Sequence, residues 1–259
     1  MPAQSTLRHD DYASGKGAAQ ENFPVASYLL PAAERAEILA FYRFARAADD
    51  IADHPYLTPA GKLALLDRMA TALPVSGAAH AAELLIAFRQ DAVQSRYASW
   101  DALMGYCRYS AAPVGRFLLD LFGEERALWP RADALCAALQ VLNHLQDVAQ
   151  DYRNLDRLYL PQDWLAAEGA DGAMLTAGST APPLRRVLDR ALTETAALLA
   201  LSRPLAGRMR HRGLKRQTAI VQACGERLLT RLRRQDPLAG RVRLTALDKL
   251  RCALAGIAP

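Results

Sequence analysis

The 259-residue chain contains no run of 18 or more apolar residues, and its first twenty, Met1 to Gln20, are polar with no apolar stretch. A membrane-spanning helix and a secretory leader are therefore not expected, and a cytoplasmic location is. Its four cysteines, Cys107, Cys136, Cys224 and Cys252, are scattered, with no CxxC and no histidine clustered beside them. That argues against a disulfide framework or a zinc site and suits a reducing compartment. Zinc-finger spacing, an RNP-type aromatic run and a glycine-rich phosphate loop are all missing, so no nucleic-acid partner is expected. Strand-like alternation is absent between Pro31 and the C-terminus, as are internal repeats.

What is present is 51% apolar residues, enough for one sizeable core without a second domain. The formal charge is +5 with a pI near 9.2, and arginines crowd between Arg203 and Arg243. Their simplest reading is a solvated surface; an anionic bilayer or an anionic small substrate would also account for them.

Apolar residues recur at helical spacing almost throughout, which makes the chain all-α. The pattern predicts helices over Ala32 to Asp53, Pro59 to Leu73, Ala78 to Ser95, Ser99 to Tyr109, Pro113 to Phe122 and Ala132 to Tyr152. A short turn near Asp163 to Glu168 and a Gly/Pro-rich connection, Gly169 to Pro183, lead to helices over Leu184 to Arg210, Leu214 to Leu232 and Leu244 to Leu254. Most prolines fall at the predicted edges, where a missing N–H does least harm; Pro204 falls inside a helix and should kink or break it. One helical bundle over residues 1–259, with 1–20 a flexible leading segment, is the economical architecture.

Two acidic boxes stand out, Ala48-Asp49-Asp50-Ile51-Ala52-Asp53 and Asn143-His144-Leu145-Gln146-Asp147-Val148-Ala149-Gln150-Asp151. Each carries carboxylates at i and i+4, which a helix stacks one turn apart at a cost of roughly 0.2–0.5 kcal/mol per like-charged pair. The first lies on a helix apolar nearly all round, whose polar residues Arg43, Arg46, Asp49, Asp50 and Asp53 recur at steps of three and four. Such a stripe faces a cavity or partner charges. The plain alternative is Arg46 to Asp50 pairing along a surface. Both boxes fall near predicted helix ends, where the macrodipole disfavours negative charge by roughly 0.3–1 kcal/mol each.

On the second helix Gln140, Asn143, Asp147 and Asp151 share one stripe, which alone would suit a solvated face. If the two stripes face each other, their oxygens suit a hard cation: Mg²⁺ takes one or two carboxylates and completes its shell with water and substrate phosphates. Asp49, Asp53, Asn143, Asp147 and Asp151 are then the candidate metal ligands. Arg43, Arg46 and Arg157 are candidate contacts to phosphate oxygens.

At these residues the chain resembles the squalene and phytoene synthase family of isoprenoid enzymes, over nearly its whole length. The resemblance implies an isoprenoid-synthase-type helical bundle with a central apolar cavity, Mg²⁺ and a prenyl diphosphate substrate. It implies diphosphate-binding roles for Arg46, Gln140 and Asn143. Tyr106, within Tyr106-Cys107-Arg108-Tyr109-Ser110-Ala111-Ala112-Pro113-Val114-Gly115, matches a family tyrosine and is the implied catalytic phenol beside the aspartates. Arg157-Leu158-Tyr159-Leu160-Pro161 looks like the family's RxYxP loop, which places Tyr159 with Arg157 at the diphosphate. Phe23, Phe41 and Phe44 are candidate walls for a cavity sheltering a carbocation.

Where typical members have Val-Ala-Gly this chain has Ser110-Ala111-Ala112-Pro113, and near its start it has Glu21-Asn22-Phe23-Pro24-Val25-Ala26-Ser27. Both variants are similar to the hydroxysqualene synthase branch of bacterial hopanoid pathways. That implies conversion of presqualene diphosphate and water to hydroxysqualene and pyrophosphate, without NADPH, beside pathway enzymes that make the substrate and oxidise the product. A head-to-head condensing synthase making squalene or phytoene is the nearest alternative, and a non-catalytic scaffold of the same fold is a third. Peripheral membrane association through the arginine-rich C-terminal helices is compatible with either enzyme.

Overall fold

A computed structural model describes Phe23 and residues 27–256. The leading segment 1–20 and most of Glu21 to Ser27 lie outside the described residues. Eleven α-helices are described: α1 Ala32–Ala52, α2 Pro59–Ala70, α3 Ala78–Asp91, α4 Trp100–Ser110, α5 Ala112–Leu121, α6 Trp129–Leu155, α7 Gln162–Glu168, α8 Pro182–Ser202, α9 Leu205–Arg208, α10 Arg212–Arg234 and α11 Ala246–Ala255. Short 3₁₀ turns span Arg126–Leu128 and Gly172–Thr176. No strand occurs among the described residues, and none of their helices is long and apolar enough to cross a membrane.

Local chemistry sets the boundaries. Thr58 caps α2 by accepting from Gly61 N, with Pro59 in the first turn, and Ser99 caps α4 by accepting from Ala102 N. Pro204 divides the predicted Leu184 to Arg210 helix into α8 and α9, as a missing N–H requires. Gly77 precedes α3 at φ 75°, and a methyl group there would lie 2.5 Å from the Phe117 ring; both conditions require glycine.

α6 differs from expectation at both ends. It starts at Trp129, with Pro130 in its first turn, and continues to Leu155, where Asp156 adopts φ 50° and ends it in a left-handed cap. Asp147 therefore lies two turns inside the helix, beyond the reach of the end-charge argument, which holds for Asp49 in the last turn of α1.

α6 is the axis of the bundle. It packs against α4, α5, α8 and α10, while α1 and α2 flank α3 on the other side. The buried apolar residues form one contiguous cluster running from Leu30 to Val242.

Candidate active site

Two cavities meet at Asn143 on α6, whose side chain lines both. One is a polar cleft of about 510 Å³. Asp49 of α1 and Asp53 at its C-cap line it from one helix, and Asp147 and Asp151 of α6 from the other, with Arg46, Gln140 and Tyr106 also in its lining. The two predicted stripes thus face each other. The other cavity is apolar, about 330 Å³, walled by α1, α5, α6 and α10. Phe23 and Phe41 line it, and Phe41 stacks on Phe117 with ring centroids 4.2 Å apart.

Cations bridge the carboxylates. Arg46 reaches Asp49 at 2.8 Å and Asp50 at 2.6 Å, so the plain intrahelical pairing is present on a residue that also lines the cleft. Arg157, itself only 7% exposed, pairs with Asp53 and donates to the backbone carbonyls of Ala52 and Asp91, each at 3.1 Å. Asp147 is held from a distant part of the chain by Arg241, through Nε at 2.5 Å and a second nitrogen at 2.7 Å.

The floor is a buried aromatic stack. Tyr159 lies on His144 with centroids 3.4 Å apart and planes 13° from parallel, and Tyr106 packs 5.7 Å from Tyr159. Tyr106 donates its hydroxyl to Asp91 Oδ2 at 2.8 Å, while Asp91 Oδ1 is buried without a hydrogen-bond partner. Tyr109 instead lies at the core edge beneath the Arg108 guanidinium, so Tyr106 is the phenol that reaches the cleft.

Burial sets the protonation states. It raises Asp91 to about 7 against the opposing pull of Arg157, and with the neighbouring Asp53 it raises Asp49 well above the usual carboxylate range. Burial, then the Asp91 charge, pushes the Tyr106 and Tyr159 hydroxyls above their ordinary value, so both stay protonated donors. Burial and Arg157 lower His144 to about 3, leaving a neutral imidazole. For Arg157 burial opposes the charge, but Asp53 and Asp91 outweigh it and raise its pKa.

Two expected residues lie elsewhere. Arg43 is exposed and does not line the cleft, and Phe44 packs on the core without lining the apolar cavity. At 100° per residue Arg43 is turned 120° from Asp49, and Phe44 is turned 60° from Phe41, which carries each off its face. The site also holds residues that spacing does not reveal. Asp91 ends α3, whose sequence carries no acidic stripe, and Arg241 and Arg243 come from the arginine-rich region that reads as solvated surface. His144 sits inside the second box but off its polar stripe.

The squalene/phytoene synthase family model matches residues 17–75 and 76–248. The chain belongs to this family. Among relatives of the squalene/phytoene synthases, a hydroxysqualene synthase of Rhodopseudomonas palustris is 42% identical over 96% of this chain and 90% of its own length. One from Zymomonas mobilis is 41% identical over 95% and 90%. A phytoene synthase of Mycobacterium tuberculosis is 34% identical over 57% of the chain and 55% of its own length. In three dimensions, the squalene synthase HpnC of Alicyclobacillus acidocaldarius superposes with a TM-score of 0.72 at 30% identity, covering 82% of this chain and 87% of that one. A dehydrosqualene synthase crystallised with a ligand shares the fold, with a TM-score of 0.79 at 20% identity over 92% of this chain and 90% of its own.

Proposed function

We propose that the protein converts presqualene diphosphate and water into hydroxysqualene and pyrophosphate, with Mg²⁺. The observation that carries this reading is the meeting of a charged cleft and an apolar cavity at Asn143: a diphosphate fits the first and a prenyl chain the second. The near-full-length similarity to hydroxysqualene synthases supports the choice of reaction over the condensing synthases.

The cleft's donor set suits Mg²⁺. Its ligand candidates, Asp49, Asp53, Asn143, Asp147 and Asp151, offer only oxygens of carboxylate and amide type. Among the described residues no three His, Cys, Asp or Glu side chains gather into a ready-made metal cluster. Two carboxylates one turn apart, Asp49 with its pKa raised partly by Asp53, also gain from a cation between them. When bound, Mg²⁺ would neutralise charge on the leaving diphosphate.

The chain's own residues account for the remaining steps. Arg46, Arg157, Arg241 and Arg243 line the cleft where pyrophosphate departs with the electron pair of its C–O bond, and their charge stabilises that departure. The protonated hydroxyl of Tyr159 adds a hydrogen-bond donor, while Tyr106, whose proton goes to Asp91, presents an oxygen that can accept from water. The apolar cavity keeps bulk water from the carbocation, and the faces of Phe23 and Phe41 support positive charge by roughly 0.5–2 kcal/mol each. The cation rearranges its carbon skeleton, opening the cyclopropane ring, before one water adds its oxygen to it and loses a proton to the departing pyrophosphate, giving hydroxysqualene.

Purified protein given presqualene diphosphate and Mg²⁺, without NADPH, should release pyrophosphate and hydroxysqualene in equal amounts. Absence of the alcohol, or squalene or phytoene formed from two allylic diphosphates instead, would refute the assignment.

A further inference from the structure

The final helix turns its only acid inward and its leucines outward. Asp248 is 1% exposed, takes Arg227 Nε at 2.5 Å and Arg231 Nε at 2.6 Å, and closes a capping box with Thr245. Leu247, Leu250 and Leu254 are 55%, 60% and 56% exposed. Their spacing of three and four residues puts them in one stripe, and the helical rotation places the exposed Lys249 and Arg251 on its two flanks. Exposed apolar residues elsewhere, such as Tyr56, Val75 and Val93, stand singly and need no explanation.

The ends of α11 and α10 lie close to neighbouring segments. A methyl group on Gly256, just after α11, would lie 3.1 Å from the Arg216 carbonyl oxygen on α10. One on Gly213, at the start of α10, would lie 2.2 Å from the Leu29 carbonyl oxygen. The leucine stripe, the exposed Arg212 and Arg216, and the loop bearing Tyr28 and Leu29 therefore adjoin. Tyr28 is 95% exposed, with the Arg35 guanidinium 4.8 Å from its ring centroid. Aromatic rings with a polar tip and cations with apolar stems are the residues suited to a lipid headgroup layer.

Charge selects the sign of the partner. The exposed cations of this face are Arg212, Arg216, Lys249 and Arg251, and the chain from Arg203 to the C-terminus holds only three acids. Each acid is engaged: Glu226 with Arg203 at 3.0 Å, Asp236 with Thr180 N at 2.7 Å, and Asp248 as described. Directly behind this surface is the wall of the apolar cavity, to which α10 contributes Leu214 and Gln217; Gln217 accepts from Ser27 Oγ at 2.7 Å.

We propose that this face, centred on Leu247, Leu250 and Leu254 and flanked by Lys249 and Arg251, seats the enzyme on a bilayer carrying anionic lipid. It places the cavity that holds the prenyl chain next to the membrane. The assignment builds on the proposed reaction only in that substrate and product are both lipids.

Flotation of the full chain with phosphatidylcholine vesicles, with and without phosphatidylglycerol, tests it. Wild type should float with the anionic vesicles and lose binding at high salt. The Leu247→Ser/Leu250→Ser/Leu254→Ser variant should bind roughly tenfold less. The Lys249→Glu/Arg251→Glu variant should lose the preference for anionic lipid. Both should keep wild-type turnover of detergent-dispersed presqualene diphosphate. Failure of wild type to float, equal binding to both vesicles, or undiminished binding by the leucine variant overturns the proposal. So does a wild-type dimer that the leucine variant splits, which would make the face a protein–protein contact. If wild type floats but makes no hydroxysqualene, the reaction is wrong and the surface stands.

Discussion

The polar cleft and the apolar cavity share two helices, α1 and α6, and differ in what each contributes to stability. The apolar cavity is lined by residues that the core would bury in any case, such as Phe41 and Leu135, so its function and its stability point the same way. The cleft does the opposite. It buries Asp49 and Asp91, with Asp53 beside them, which raises the pKa of both, then restrains the carboxylates with arginines. One half of the site is therefore stabilised by folding and the other is maintained against it.

The sharpest way to test that contrast is Asp49→Asn. Because burial and Asp53 raise the folded pKa of Asp49, its ionised form destabilises the fold at neutral pH, and an amide removes that cost. Turnover should fall on the order of a thousandfold while Tm rises, as seen by pyrophosphate release and thermal melts on one preparation. A variant both inactive and less stable would break the contrast from the cleft side.

Phe41→Ala probes the other half. Losing the stack on Phe117 should cost about 3–5 kcal/mol in denaturant melts, while turnover at saturating substrate falls by less than tenfold. A larger loss of turnover than of stability would make Phe41 part of the chemistry rather than a wall.

The smallest effect should come from Asp91→Asn, whose amide oxygen can still accept from Tyr106. With a folded pKa near 7, above the ordinary carboxylate value, Asp91 makes the fold more stable when protonated, so its contribution is lost as pH rises from about 4 to 7. The variant should lose less Tm than wild type between pH 5 and pH 7.5. Identical pH profiles would mean that Asp91 is not the buried acid described.

Helices were readable because prolines and caps punctuate a strong 3.6-residue rhythm; even the break at Pro204 was legible. The end of α6 was not, since its stop signal is an aspartate, Asp156, in a conformation glycine usually takes. The acidic boxes were legible because both rims are local repeats along single helices. Arg43 shows the limit of that method: steps of three drift around a helix, so a stripe read over three turns gathers a residue that leaves its face. Asp91, Arg241 and Arg243 reach the cleft only through long-range packing, which no spacing within the sequence encodes.

α6 also acts as a ruler. Asn143 and Ala132 both line the apolar cavity, and the eleven helical steps from one to the other span about 16 Å of rigid helix. A prenyl chain anchored by its diphosphate beyond Asn143 is measured against that fixed length. The far mark is set by small side chains: a methyl group on Gly115 would lie 2.7 Å from Cys136 Sγ and 3.3 Å from the Ala132 methyl. Bulkier residues at Gly115 or Ala132 would therefore change the room in this cavity at the opposite end of the helix from the aspartates, without touching them.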